Sequence, residues 1–325
     1  MCACGVANTM SEERGRESWW AALLAKVRME YILIALCALL AFKAPHFWSS
    51  QNLLTVLRSV SMQGVIAFGM TLVIIVGEID LSVGATASFA GCMVAWLTER
   101  KLPLPLGAAL TLGLGYLQGA FVGLMRARYR IPSFITTLAL LTGLKGAALE
   151  LTGGFPITSF PDWYAFLGSG YVMGVPFPAL VLLSVFIGFH ILMKYTAFGR
   201  SVYAVGGNPE AARLSGIPVG RVRMQALALT GLLAALGGLM LASRIFSGTP
   251  DAAQGWELDI IAAVIIGGTS LSGGAGTVWG TLVGVLFTGV IANGMTLLDI
   301  PSYRQYIIRG LLIFAAVLLN RARKT

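Results

Sequence analysis

Long apolar runs alternate with short polar interruptions from about residue 29 to the end of the chain. A helix that crosses a bilayer needs about 20 predominantly apolar residues. That length divides the sequence into ten segments: Met29–Phe42, Asn52–Gly77, Leu81–Thr98, Pro105–Met125, Ser133–Leu151, Phe177–Tyr195, Met224–Phe246, Leu258–Gly268, Thr277–Leu298 and Tyr303–Leu319. The second is long enough to tilt, or to break near Gly64 or Gly69, and the eighth is short. The runs are continuous, whereas the strands of a membrane barrel would alternate polar and apolar residues. The expected fold is an all-α polytopic membrane protein of about ten transmembrane helices. A polar tail (1–28) precedes a single membrane domain (29–320), and 321–325 form a second tail. No loop exceeds about 30 residues, too few for a soluble domain.

Composition strengthens this picture. Hydrophobic residues make up 57% of the 325 and charged residues only 11%, against about a quarter charged in soluble domains. The net charge is +9, and its distribution follows membrane topology rather than nucleic-acid binding. With the N-terminus inside and ten spans, the inside segments hold 15 of the 23 basic residues, while Glu99, Asp162, Asp251, Glu257 and Asp299 collect outside. The positive-inside rule then places both termini inside. The first apolar run is followed by no small-residue cleavage site and is expected to be a retained span. The four cysteines have no metal-ligand spacing, and no metal site is expected. Trp19, Trp20, Trp48, Trp163 and Trp256 are expected as anchors at the membrane interface. His46, near an outer boundary, is expected to anchor likewise, and His190, within a span, to hydrogen-bond between helices.

Tyr195–Arg223 is basic and poor in apolar residues, and lies between two apolar runs. Within this loop (196–223) a short helix has its limits written into the sequence. Asn208 can cap it, and Pro209 fits the first helical position. Glu210 near the start and Arg213 near the end suit the helix dipole. Gly216 can take the left-handed conformation that ends a helix, and Pro218 stops it resuming. A helix of about two turns cannot fold alone, so it must dock on something. Glu210, Ala211 and Ala212 followed by Gly216 read EAA-x-x-x-G, which resembles the cytoplasmic coupling motif of permease subunits in ATP-binding-cassette importers.

Two other interruptions stand out. Gly77–Gly84 contains Glu78 and Asp80, costly beside apolar runs unless cations, water or backbone N–H groups meet them. Asp80 or Ser82 can cap the next helix, and Gly84 permits close backbone approach. The second break, Ile266–Thr277, carries Gly267, Gly268, Gly273 and Gly274. No lysine follows those glycines, so it is not a phosphate loop, and no phosphate loop exists elsewhere. Both breaks can let spans shift against one another. Polar residues inside the runs, Gln63, Thr71, Gln118 and Asn293, can line a path or bond helix to helix.

The chain resembles the permeases of the ribose, galactose and xylose family of ATP-binding-cassette importers. The likeness runs from about Asn52 to Asn320 and rests on GMTLVIIVGEIDLSVG (69–84), FGRSVYAVGGNPEAARLSGI (198–217) and ELDIIAAVIIGGTSLSGGAGTVWGTLVG (257–284). Glu78 departs from the family's usual glycine. The resemblance implies an importer permease fold in a bacterial inner membrane, with no cofactor and no catalytic residue in this chain. ATP and Mg would be bound by a separate cytoplasmic ATPase. A second permease chain, identical or paralogous, and a periplasmic or extracellular sugar-binding protein would complete the complex. Permeases for branched-chain amino acids form a neighbouring family. An ion-coupled transporter would need intramembrane charges, for which only Arg58, Lys145 and Glu150 are candidates.

Overall fold

The structure is a computed structural model that describes residues 29–322. The expected tail 1–28 and residues 323–325 lie outside the described residues. Helices occupy all ten expected segments: α1 (Met29–Lys43), α2 (Ser50–Ile75), α3 (Val83–Glu99), α4 (Leu104–Tyr129), α5 (Ser133–Thr152), α7 (Phe177–Tyr195), α10 (Val219–Ile245), α11 (Trp256–Ile266), α12 (Val278–Leu297) and α13 (Ser302–Ala322). Six of them, α2, α4, α5, α7, α10 and α12, are long and apolar enough to cross a membrane by length and composition.

Several elements were not expected. The segment after α5 holds a 3-10 turn (Asp162–Tyr164), the short helix α6 (Ala165–Ser169) and a two-residue hairpin of β1 (Tyr171–Val172) on β2 (Val175–Pro176). The basic segment 196–223 is not a loop with one short helix. It begins with α8 (Ala197–Gly207), whose first turn is capped by the Thr196 hydroxyl accepting from the N–H of Gly199. The α9 helix (Pro209–Leu214) follows after one residue.

The core is built around α2 and α10, each buried over 83% of its most apolar stretch. They pack on each other, and α10 also packs on α3 and α4. In α4 the close approach is made by Gly115, Gly119 and Gly123, four residues apart on one face. A Cβ at Gly119 would overlap the Leu227 carbonyl oxygen, and one at Gly123 would overlap the Met224 backbone. Small residues at that spacing let helices approach closely in lipid, where no hydrophobic force draws them together. The outer helices α4, α5 and α7 leave most of their apolar side chains exposed or only half-buried.

The α2 helix does not break at Gly64 or Gly69. Those glycines make room instead: a Cβ at Gly64 would crowd Leu182, and one at Gly69 would lie 2.8 Å from the Thr230 Cα. Two of the three suspected ion-relay residues, Lys145 and Arg58, have partners in the fold. Lys145 pairs with Asp251 at 3.0 Å. Arg58 donates to the Tyr171 hydroxyl in the hairpin and lies over its ring.

Candidate functional site

The α9 helix forms as its capping residues dictate. The Asn208 side-chain oxygen accepts from the N–H groups of Glu210 and Ala211, both at 3.0 Å. Pro209 occupies the first turn, and Gly216 has φ +81°. The Glu210 and Arg213 side chains pair at 2.5 Å, holding the Glu210 carboxyl below the usual glutamate range and raising the Arg213 guanidinium. Only Ala212 of this helix is buried, and Leu214 is 75% exposed. The helix is short, charged on its flank and free on its outer side.

One residue before Asn208, the end of α8 meets both breaks. The Ile75 carbonyl, at the end of α2, accepts from the N–H of Gly274 at 2.9 Å. Gly206 lies between them: a Cβ there would overlap the Ile75 oxygen and stand 2.6 Å from the Gly274 nitrogen. Gly273 and Gly274 rest against the backbone of Gly206 and Gly207. The Tyr203 hydroxyl donates to the Gly276 carbonyl at 2.9 Å. Gly267 and Gly268 turn the chain out of α11, and a Cβ at Gly267 would overlap the Gly280 carbonyl. The two breaks and the coupling-motif segment therefore form one backbone junction.

The acids of the first break are met as required. Glu78, 5% exposed, pairs with Arg126 at 2.7 Å and Arg223 at 3.2 Å. It stands where the resembled family usually has glycine, yet the positive φ of the turn (+79°) falls on Gly77, so the carboxylate does not strain it. Asp80 accepts from the N–H and hydroxyl of Ser82 at 2.8 and 2.6 Å, and burial pushes its carboxyl up against those bonds. Ser82 precedes α3, but neither its side chain nor that of Asp80 makes the expected cap. The Ser82 hydroxyl instead donates to Asp80 and accepts from the Gln118 amide at 3.2 Å. Gly84 is a point of close approach, where a Cβ would overlap the Glu257 carboxylate.

Toward the other end of α2, roughly 24 Å along its axis from Ile75 to Ser59 at 1.5 Å per residue, lies a cavity of about 590 Å³. Its walls come from α2, α10, α11, α12 and α13, and include Gln63, Arg244, Trp256, Asp259, Asn293 and Arg309. Asp259 pairs with Arg309 at 3.0 Å, and Gln63 lines the same wall. Asn293 and Asn52 exchange two amide hydrogen bonds, at 2.8 and 3.0 Å. Arg244 donates to the Ser59 hydroxyl at 3.1 Å.

The four polar residues singled out in the apolar runs thus separate. Gln63 and Asn293 share this cavity. Gln118 lines a smaller one of about 300 Å³ and donates to Thr86 at 2.7 Å. Thr71 is fully buried, its hydroxyl 2.6 Å from that of Thr281, joining α2 to α12. Asp259, Arg309 and Arg244 were missed, and Trp256, expected as an interface anchor, lines the cavity wall. His190 sits beside the rings of Phe186 and Tyr195. Among the described residues no group of His, Cys, Asp and Glu could hold a metal ion.

Residues 52–317 match the family described as "Branched-chain amino acid transport system / permease component". The ribose import permease protein RbsC of Haemophilus influenzae is 42% identical over 301 residues, 91% of this chain and 93% of that one. The L-arabinose ABC transporter permease protein AraH of Azospirillum brasilense is 36% identical over 311 residues, 96% of this chain and 91% of its own. The xylose transport system permease protein XylH of Escherichia coli is 33% identical, with 90% of this chain and 92% of that one covered. No solved structure matches the chain. The chain belongs to this family of ABC transporter permease components; it is a multi-pass membrane protein and not itself an enzyme.

Proposed function

We propose, from that membership, that the chain carries a monosaccharide inward across a bacterial inner membrane by alternating access. The observation that carries the substrate class is that relatives matched over about nine-tenths of their length are named for ribose, arabinose and xylose. The ten helices at the ten expected segments are read as ten crossings, with both termini and α9 cytoplasmic. This rests on the concentration of basic residues in the segments so placed. The α9 helix docks in a partner ATPase, which binds ATP and Mg. A second permease chain, identical or paralogous, completes the path, and a periplasmic or extracellular binding protein delivers the sugar. Closure of the ATPases displaces α9, and the junction at Gly206 transmits that displacement to the ends of α2 and α11. Gln63 and Asn293 line the path on the outer side.

Two experiments test this. Proteoliposomes holding the permease, its ATPase and its binding protein should take up one of ribose, arabinose or xylose with ATP and despite an ionophore. Uptake by the permease alone, without ATP and abolished by the ionophore, would establish an ion-coupled carrier instead. Gly207→Cys and Asp162→Cys should label from opposite faces, Gly207→Cys from the cytoplasm; labelling of both from outside would overturn the ten-crossing map. The description of the matched family favours one second reading, import of a branched-chain amino acid, and leucine belongs in the same uptake assay.

A further inference from the structure

We infer that Trp256, Asp259 and Arg309 form a solute site within the 590 Å³ cavity, taking one ring of a neutral, polyhydroxylated solute. The assignment rests on the sugar-import reading and adds to it the residues that recognise the ring. Trp256 and Asp259 stand three apart in the first turn of α11, on one helix face, and both line the cavity. Arg309 reaches across from α13 to the Asp259 carboxylate at 3.0 Å, and Gln63 lines the same cavity from α2. Two helices thus meet at one carboxylate on a cavity wall that α2 also lines. Charged side chains inside a membrane segment are costly and mark functional sites by default. The volume falls within the about 300–1,000 Å³ of small-molecule sites, whose polar groups are few and convergent.

The chemistry selects the class. A sugar ring has a rim of hydroxyls and a face of C–H bonds. The indole of Trp256 offers a flat apolar surface for that face. The Asp259 carboxylate can accept hydrogen bonds from hydroxyls, and the Arg309 guanidinium and Gln63 amide can donate to hydroxyl oxygens. Because Asp259 and Arg309 neutralise one another, a neutral solute exchanges bonds with both and leaves neither charge alone. An anionic or cationic solute would leave one of them unmatched in a low-dielectric setting. A zwitterionic amino acid would have to draw the pair apart to meet each of its own charges.

The test uses the complete importer in proteoliposomes, with ribose, arabinose, xylose and leucine as probes. Trp256→Ala, by removing the apolar face, and Asp259→Asn, by removing hydrogen bonds to a charged group, should each raise the uptake KM about tenfold or more. Trp256→Phe, which keeps a flat face, should recover most of the affinity. The reversed pair, Asp259→Arg with Arg309→Asp, keeps the ionic link between α11 and α13 but moves the carboxylate, and should stay impaired. Wild-type uptake by the reversed pair would show a mere clamp and overturn the site. Unchanged KM in Trp256→Ala and Asp259→Asn would do the same, and those two variants decide the matter if the reversed pair does not assemble. Import of leucine and none of the three sugars by the wild-type complex would defeat the sugar reading itself, and the site with it.

Discussion

The two ends of α2 solve different problems. At Ile75 the contacts run backbone to backbone: a carbonyl on an N–H of the second break, with Gly206 seated between them and no room for a methyl group. At Gln63 and Ser59 the contacts run side chain to side chain around open volume, and Asp259, Arg309 and Arg244 can exchange partners by changing rotamers. Close-packed interfaces do not deform continuously; they hold or they switch. A junction of backbone on backbone therefore passes a displacement on, whereas a cavity of flexible polar groups accommodates a solute. The transmission and the recognition proposed above thus fall at opposite ends of the same helices.

The largest effect should come from the charge that closes the junction end. Glu78→Ala leaves Arg126 and Arg223 facing each other without a counter-ion, and breaking a buried pair costs about 3–5 kcal/mol. Arg126 is 29% exposed, which sets the expectation at the lower end of that range. Thermal unfolding in detergent should show a clear loss of stability, and Glu78→Asp should recover only part of it. A variant as stable as wild type would mean that the two arginines find water instead, and the end would be looser than described.

Next in size is Gly206. A valine there must displace either Ile75 or Gly274, and overpacking of this kind costs about 1–3 kcal/mol. Uptake should fall with it, because the displaced backbone is the proposed link to α9. Gly207, its neighbour, faces open space, so Gly207→Ala should be close to neutral. Equal effects at the two positions would dissolve the distinction between a packed junction and an ordinary glycine-rich turn.

How much of this was legible in the sequence follows the same division. The α9 helix could be read because Asn208, Pro209 and Gly216 act on their immediate neighbours. The ten helices could be read because length and apolarity are local. The α8 helix could not: Ala197–Gly207 includes Gly199, Gly206 and Gly207 and is too short and mixed to signal itself. The role of Gly206 depends on Ile75 and Gly274, each more than sixty residues away. A separation of 50 residues hid the Asp259–Arg309 pair, and with it the cavity that Trp256, read as an interface anchor, lines. The Gly115, Gly119 and Gly123 stripe was printed in the sequence at helical spacing, but its partner, α10, lay about a hundred residues further on.

A smaller effect is expected at Gly216, with φ +81° and open space beside it. The left-handed conformation costs a residue with a Cβ about 1–2 kcal/mol, so Gly216→Ala should weaken the α9 stop without any clash. Gly216→Trp adds bulk beside α9, where the ATPase is proposed to dock. Co-purification of the ATPase and uptake should both be lost while the permease still inserts. Retention of both would remove α9 from the docking surface.

The smallest effect separates stability from recognition most cleanly. Asn52 and Asn293 exchange the same two amide bonds, so removing either side chain forfeits them, and polar contacts between membrane helices average about 0.6 kcal/mol. Asn52 also donates to the Phe47 carbonyl at 2.9 Å, which makes Asn52→Ala the costlier change for stability. Asn293 lines the cavity, and Asn52 is not among its lining residues. If the cavity is the path, Asn293→Ala should raise the uptake KM although it disturbs the fold less, and Asn52→Ala should lower stability while leaving KM near wild type. Parallel changes in both quantities would mean that the pair serves only to join α2 to α12, and that the flexible end of the molecule recognises its solute elsewhere.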